Sequence, residues 1–217
     1  MSEDIMILLV CATELEARPF IEYHKLRKQG TGSAYHFYER ENCALVVTGM
    51  GSMKGALYLS EVIQQKQRSG AAISCIVNYG IAGCLTDGWS IGDVVEIDRV
   101  IKYSAHEFAR EKPGRHFLSS FPEIALNPTE RVPKTLATSD HPVFNKEDSQ
   151  SAARYAQFVD MEGYGYAFVA SHYAIPIHLL KGISDYTFKE REASFKQNVT
   201  RTLENLLSFH REQHEDK

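Results

Sequence analysis

Two acidic segments of the chain follow apolar runs that have the length of a β-strand. Asp160 and Glu162 flank a methionine after one such run, and Ser184 and Asp185 end another. Burying a carboxylate is costly unless a partner compensates its charge, so an acid at the end of a buried strand is expected to face a ligand. The alternative is that Asp160 and Glu162 are N-terminal acids of a helix predicted over residues 164–172, where the helix dipole favours negative charge.

A third candidate acid follows the first apolar run, residues 5–12. Thr13 precedes Glu14 and Glu16 with the spacing of a capping box, which predicts that a helix begins here. Glu16 is therefore either an ordinary acid of the second helical turn, as we expect for Glu14, or a catalytic carboxylate. The spacing alone leaves both interpretations open.

Apolar runs that could position these acids alternate with helical patterns along the chain. Strands are predicted at residues 5–10, 34–40, 43–48, 73–78, 92–96, 100–103, 134–138 and 175–183. A helix is predicted at 53–68, and a final helix places Phe195, Val199, Leu203 and Leu206 on one face. Residues 210–217 are expected to fray.

This alternation predicts an α/β fold with a single domain over residues 1–217. We expect three layers, α/β/α, around a central sheet that is mixed and largely parallel. In such sheets ligands bind beyond the carboxyl ends of the strands, where the acids and the glycine-rich segments 49–51 and 79–83 lie. Residues 104–131 lack periodicity and are predicted to form a long loop that recognises the substrate's side chain.

The composition argues against several kinds of partner. The net charge is −4 without a block of basic residues, which disfavours nucleic acid and anionic membranes. The first apolar run is too short to span a bilayer, so we expect a cytoplasmic protein. The four cysteines and nine histidines lack the spacing of metal sites, which predicts buried free thiols and no metal.

The common cofactor and nucleophile motifs are incomplete or missing. Gly49-Met50-Gly51 begins like a dinucleotide-binding loop, but the sixth position of GxGxxG is not glycine and the later acid is absent. A nicotinamide-dependent oxidoreductase is therefore a minor alternative, and we predict no cofactor. Neither GxxxxGK[ST] nor GxSxG occurs, so the chemistry is expected to come from carboxylates.

Six segments, taken in order, resemble motifs of the nucleoside phosphorylase and nucleosidase superfamily. They are residues 11–16, 48–51, 78–83, 91–95, 159–162 and 183–185. Within the superfamily the chain is most similar to the methylthioadenosine/S-adenosylhomocysteine nucleosidases and the futalosine hydrolases. Its N-terminal segment leans towards the latter.

The resemblance implies hydrolysis of the N-ribosidic bond of a purine nucleoside, with water as the nucleophile. Asp185 would protonate the leaving base while Ser184 orients it, Glu162 would bind the ribose hydroxyls, and Glu16 would activate the water. Further substrate contacts are implied for Met50, Gly80, Ile81, Val143, Phe144, Met161 and Phe195.

The chain departs from its relatives at positions that bear on the reaction. Ile81 stands where nucleosidases carry a small hydroxyl residue, and Lys181 replaces an arginine. Phosphorylases of the superfamily bind phosphate through arginines, whereas this chain has acids near the first turn and Asn78 before the second. Hydrolysis is therefore favoured, and phosphorolysis and a non-catalytic nucleoside-binding role are alternatives.

The resemblance leaves the substrate open between two types. An aspartate at position 185 is typical of relatives that act on 6-aminopurines, which favours an adenine nucleoside with a modified 5′ position. The N-terminal segment instead favours futalosine. The family also implies a homodimer in which the partner subunit completes the 5′ end of the pocket.

Overall fold

The computed structural model describes residues 5–30, 34–103, 123–126, 133–187 and 195–215, which form eleven strands and five helices. The strands are β1 Ile5–Cys11, β2 Arg27–Gln29, β3 His36–Arg40, β4 Cys43–Val47, β5 Ala72–Cys84, β6 Val94–Glu96, β7 Arg99–Tyr103, β8 Glu123–Ala125, β9 Thr135–Ser139, β10 Phe158–Asp160 and β11 Ile177–Tyr186. The helices are α1 Glu14–His24, α2 Ser52–Arg68, α3 Lys146–Ala152, α4 Gly163–His172 and α5 Phe195–Glu215.

All eleven strands belong to one sheet, whose main path is β2-β3-β4-β1-β5-β10-β9-β7-β8, with β11 and β6 branching from β5. Among the described strands, five pairs are parallel. The other five are antiparallel and lie mainly at the edges. The predicted mixed sheet is therefore confirmed, with its parallel pairs at the centre.

Strand β5 organises the sheet because both of its edges are used. One edge pairs with β1 as far as Asn78, and resumes with β10 at Gly83. The other edge pairs with β11 from Ile76 to Cys84. Residues 79–82 thus face a gap that the carboxyl ends of β1 and β10 approach from opposite directions, and a gap beyond strand ends is the usual place for a ligand in an α/β sheet.

Two apolar cores cover the two faces of the sheet, which confirms the three-layer arrangement. Leu59 of α2 and Tyr166 of α4 belong to one core. Phe20 of α1 and Leu203 of α5 belong to the other. In the part of the chain that the structure describes, no helix is long and apolar enough to cross a membrane.

Several elements differ from the sequence-based prediction. Strand β5 does not end at residue 78 but continues through the glycine-rich segment to Cys84, because β11 pairs with it along this whole length. The short elements β2, β8 and α3 were not predicted. Helix α5 extends to Glu215 rather than fraying from residue 210, because His210 is buried against α1 and β5. Most of the predicted 104–131 loop lies outside the described residues.

Candidate active site

A cavity of about 320 Å³ opens at the gap beside β5. Its lining comes from the loop after β1, the β5 gap, the ends of β10 and β11, and the start of α5. All but one of the predicted site residues line it: Glu16, Met50, Ile81, Val143, Phe144, Met161, Glu162, Ser184, Asp185 and Phe195. Gly80, the exception, lies immediately behind the cavity wall.

Glu16 has both the capping role and a position on the cavity. Its Oε2 accepts hydrogen bonds from the backbone N–H and the hydroxyl of Thr13, each at 2.9 Å, which completes the capping box of α1. Its Oε1 accepts the N–H of Ile81 at 3.1 Å, across the β5 gap. Glu14 instead turns away to Tyr38 and His36 on β3. The helix cap therefore holds the Glu16 carboxylate in a fixed position, and only Glu16 of the two acids faces the cavity.

Asp160 is the most fully compensated acid of the site. It accepts hydrogen bonds from the Thr138 hydroxyl at 2.7 Å and from the N–H of Gly163 at 2.8 Å. Lys181 forms an ion pair with it at 2.9 Å, and both side chains are almost fully buried. Burial would lower the pKa of Lys181, but Asp160, Glu162 and Glu16 outweigh that effect and raise it. Asp160 thus anchors α4 and keeps Lys181 charged.

Glu162 stands next to this pair and is less well compensated. Its Oε1 accepts the N–H of Gly51 at 2.8 Å, where the backbone adopts a φ of 103° that favours glycine. Burial, followed by repulsion from Asp160, raises the pKa of Glu162 to about 7. Glu162 is the N-cap residue of α4 but, unlike Asp160, makes no side-chain bond to this helix, and its carboxylate is held by Gly51 instead.

If Glu162 binds the ribose hydroxyls, as the resemblance implies, ligand binding should weaken in acid, because only the ionised carboxylate can accept both hydrogen bonds. With a pKa of about 7, a non-hydrolysable C-nucleoside analogue of adenosine should bind roughly tenfold more weakly at about pH 6 than at about pH 8. Calorimetric titration across this range measures the effect.

Glu162→Gln is the matched variant for that measurement. Its affinity should be lower at every pH, with the pH dependence between about 6 and 8 removed. Equal pH dependence in the wild type and the variant would show that another group titrates. The effect of pH on folding stability has the opposite sign. Because the pKa of Glu162 is raised in the folded protein, its contribution to the free energy of folding becomes less favourable as the pH rises from the ordinary pKa of a glutamate towards 7.

Asp185 is presented by an irregularity in β11. The β11–β5 register shifts between Ile183 and Asp185, so Ser184 is the extra residue and Asp185 pairs with Gly83. The Ser184 hydroxyl is 2.6 Å from Asp185 Oδ1 and 3.3 Å from the carbonyl of Ala82. A bulge commonly re-aims a side chain at a site, and here it turns the Asp185 carboxylate into the cavity.

Gly80 explains how three polar groups, from Lys181, Glu16 and Asn78, can approach one point of β5. A methyl group at this position would lie 3.1 Å from Lys181 Nζ and 3.2 Å from Glu16 Oε1. Asn78, two residues earlier, donates from its amide nitrogen to the carbonyl of Val10 at 2.9 Å. Asn78 therefore ties β5 to β1.

The opposite wall carries apolar side chains, and part of it was not predicted. Val143 is buried, whereas Phe144 is 59% exposed at the mouth. Leu15, Thr187 and Val199 also line the cavity but were not among the predicted residues. Val199 belongs to the apolar stripe of α5. In the sequence this stripe predicts how the helix packs, but it does not indicate a ligand site. The structure adds the buried ion pair of Asp160 and Lys181, which lies beside Glu162 and Glu16.

The charges of the site favour proton transfer over anion binding. Glu16, Asp160 and Glu162 are all buried, and Asp185 lies on the same cavity. The described residues that line the cavity include neither lysine nor arginine. Lys181 lies behind them and is held by Asp160. Such a site can donate and accept protons around a neutral or cationic ligand.

Comparisons with known proteins agree with this geometry. Residues 6–211 match the family model described as the phosphorylase superfamily. Curated protein sequences give no match. Among solved structures, the Helicobacter pylori 5′-methylthioadenosine/S-adenosyl homocysteine nucleosidase superposes with a TM-score of 0.78 at 17% identity, covering 100% of both chains.

Two further structures show the same fold. Futalosine hydrolase of Helicobacter pylori has a TM-score of 0.78 at 18% identity, with 99% of each chain covered. The Campylobacter jejuni 5′-methylthioadenosine/S-adenosyl homocysteine nucleosidase has a TM-score of 0.74 at 19% identity, covering 98% of this chain and 99% of its own. The sequence match over nearly the whole chain, together with the fold, shows that this protein belongs to the phosphorylase superfamily.

Proposed function

We propose that the protein hydrolyses the N-ribosidic bond of a purine nucleoside and releases the free base. The observation that carries this proposal is the arrangement of Glu16, Glu162 and Asp185 around one cavity, with each carboxylate fixed by a different hydrogen-bond partner. Three acids held in three orientations can divide the work of activating water, binding the sugar and protonating the base.

Each acid has a role that follows from its surroundings. Cleavage of the bond leaves an oxocarbenium-like sugar, and the departing purine needs a proton. Asp185, oriented by Ser184, is our proposed donor of that proton. Glu162, next to the Gly51 turn, accepts the ribose hydroxyls, and Met161 packs on the sugar. Glu16, held between Thr13 and Ile81, removes a proton from the attacking water.

The charge balance supports water rather than phosphate as the nucleophile. A phosphate dianion requires fixed cations, usually arginines. Here Glu16 occupies the first turn, Asn78 binds the Val10 carbonyl, and Lys181 is paired with Asp160. Placing a dianion beside Glu16 and Glu162 would add repulsion in a buried site.

We expect base release to be independent of phosphate and to depend on Glu16. The test is a panel of methylthioadenosine, S-adenosylhomocysteine, adenosine, inosine and futalosine, assayed for free base with and without phosphate. Glu16→Gln retains a capping side chain at the start of α1 but lacks the base, so kcat should fall by about 10²- to 10⁴-fold.

The outcomes of this panel separate the alternatives. Base release that requires phosphate would contradict hydrolysis in favour of phosphorolysis. Nucleoside binding with negligible turnover, unchanged by Glu16→Gln, would indicate a non-catalytic binding protein. Glu14→Gln is the control, because Glu14 contacts β3 rather than the cavity.

Within the panel we favour an adenine nucleoside with an apolar 5′ substituent. Leu15, Met50 and Phe144 are each more than half exposed and line the cavity. Met50 immediately precedes Gly51, whose N–H binds Glu162, so it lies on the sugar side of the site. An apolar group such as a thioether would cover these side chains, whereas the carboxylate of futalosine finds no cation among the described lining residues.

We also propose a homodimer formed through α2 and α4. Met53 and Leu57 lie one helical turn apart on α2 and are 85% and 55% exposed. Phe168 of α4, a helix that packs on α2, is 57% exposed. Exposed apolar residues on two adjacent helices indicate a protein–protein contact, and a second copy would satisfy the dimer that the family implies.

Light scattering tests this interface. The wild type should have twice the chain mass, and Met53→Lys combined with Leu57→Lys should shift it to the monomer with the fold retained. Ile5→Lys is the control, because Ile5 is also 60% exposed but lies at the start of β1. A monomeric wild type, or a double variant that remains a dimer, would contradict the proposal.

A further inference from the structure

The first turns of α2 and α4 meet directly, and Tyr166 lies at their contact. Tyr166 is fully buried and follows Glu162 by one helical turn. A methyl group on Gly55 of α2 would lie 2.8 Å from Cε1 of its ring, and one on Gly165 would lie 2.4 Å from the carbonyl oxygen of Ser52. The two glycines therefore allow the helices to approach more closely than larger residues would permit.

The Tyr166 hydroxyl extends this contact to the segment that precedes α2. It lies 2.7 Å from Oγ1 of Thr48, which is also buried and comes directly after β4. The Thr48 hydroxyl is 3.1 Å from the carbonyl of Gly49, which can only accept, so Thr48 donates to Gly49 and accepts from Tyr166. Burial raises the pKa of Tyr166 far above its ordinary value, and its hydroxyl therefore keeps the proton that it donates.

The other end of the segment 48–51 carries the N–H group that binds Glu162. Gly51 donates to Oε1 of Glu162 at 2.8 Å, and α2 begins at the next residue. Both glycines of the segment have positive φ values, 78° and 103°, so contacts at its two ends must hold a conformation that other residues rarely adopt. Met50, which lines the cavity, lies between them. Tyr166 and Glu162 thus hold the two ends of this segment from one turn of α4.

We propose that Tyr166 is a positioning residue for Glu162. By holding Thr48, it keeps the segment 48–51 against α4 and the Gly51 N–H on the Glu162 carboxylate, which fixes the orientation in which that carboxylate meets a ligand. The inference rests on the proposed function, in which Glu162 binds the ribose hydroxyls. Tyr166 does not itself line the cavity, so it acts through this segment.

The Gly51 amide reports this contact without any ligand. Burial, then repulsion from Asp160 and more weakly from Glu16, raises the pKa of Glu162 to about 7, whereas Lys181 and the Gly51 hydrogen bond act in the opposite direction. In protein labelled with ¹⁵N-glycine, the Gly51 amide resonance should therefore shift as Glu162 ionises, with its midpoint at about pH 7. A weaker Gly51 bond should make this shift smaller and raise its midpoint.

Two variants break the Tyr166–Thr48 bond from opposite sides. Tyr166→Phe and Thr48→Val each remove one hydroxyl, and each should reduce the Gly51 shift and raise its midpoint by about half a pH unit. Tyr173→Phe is the matched control, because the Tyr173 hydroxyl also joins α4 to α2, 3.0 Å from Ser60, but at the other end of α4. A wild-type Gly51 titration in both variants, or the same change in the control, would overturn the proposal.

A double-mutant cycle with Glu162→Ala connects the contact to ligand binding. At about pH 8, Tyr166→Phe should weaken binding of the C-nucleoside analogue of adenosine by about three- to tenfold, whereas Tyr173→Phe should not. In the Glu162→Ala background, Tyr166→Phe should have a much smaller effect, because the carboxylate that it positions is absent. Equal losses in the two backgrounds would contradict the proposal.

The two measurements also separate this inference from the proposed function. If Glu162→Ala alone left binding of the analogue unchanged, the ribose-binding role of Glu162 would be wrong. The Gly51 titration requires no ligand, so it would still decide whether Tyr166 holds the segment 48–51 on Glu162.

Discussion

Asp185→Asn is expected to lower kcat for base release by about 10²- to 10⁴-fold, with a much smaller effect on KM. Asparagine fits the same space and can still accept the Ser184 hydroxyl bond, so the cavity should keep its shape. It cannot supply a proton to the departing purine, and that proton is needed only in the transition state. Steady-state kinetics with the substrate identified by the panel measures the effect.

Two further variants define what the Asp185 result means. Ser184→Ala should give a smaller loss, because it removes only the hydroxyl 2.6 Å from Asp185 Oδ1. Asp140→Asn, in the turn after β9 and outside the cavity lining, should be without effect. If Asp185→Asn retained more than about a tenth of the wild-type kcat, the leaving base would be protonated by another group.

Lys181→Met is expected to cost about 3–5 kcal/mol of folding free energy, the largest stability effect that the site predicts. The variant would leave buried carboxylates without a compensating positive charge, and this cost, rather than the strength of the ion pair itself, accounts for the loss of stability. Asp160 is 2.9 Å from Lys181 in a nearly water-free position, and Glu162 and Glu16 lie in the same cluster. Denaturant-induced unfolding at neutral pH measures the loss.

Companion variants test whether the uncompensated charge is responsible. Adding Asp160→Asn to Lys181→Met should recover part of the lost stability, because one buried charge is then removed with its partner. Lys102→Met provides the comparison: Lys102 pairs with Asp140 on the surface, where loss of an ion pair costs at most about 1 kcal/mol. A Lys181 variant no less stable than the Lys102 variant would refute the electrostatic account.

Much of the fold could be predicted because local patterns and tertiary packing agree. The first strand, the capping box at Thr13 and the apolar stripe of α5 each reflect a requirement of one element alone. Glu16, Glu162 and Asp185 share one cavity, in line with the rule that ligands bind beyond strand ends, although β10 reaches this cavity from the opposite direction to β1 and β11. Their catalytic roles stay predictions until the variants are measured.

What could not be predicted depends on contacts between distant segments. The glycine-rich run at 79–83 has the composition of a turn, yet it is strand because β11 pairs with it from Leu180 to Asp185. The burial of His210 results from α1 and β5, which are more than a hundred residues away in sequence. In the sequence, Asp160 has the features of an acid at a helix N-terminus. Only the structure shows that it also forms an ion pair with Lys181.

Strand β5 pairs with other strands along both of its edges, and this also determines when the cavity can form during synthesis. Strand β5 is complete at Cys84, but β10, which borders its gap, ends only at Asp160, and β11, which pairs with its other edge, ends at Tyr186. A nascent chain therefore carries β5 with an unpaired edge until most of the protein has left the ribosome. Long-range pairing of this kind slows folding and leaves a sheet edge exposed to other chains. Truncation before β11 is thus expected to yield aggregates rather than a smaller folded protein.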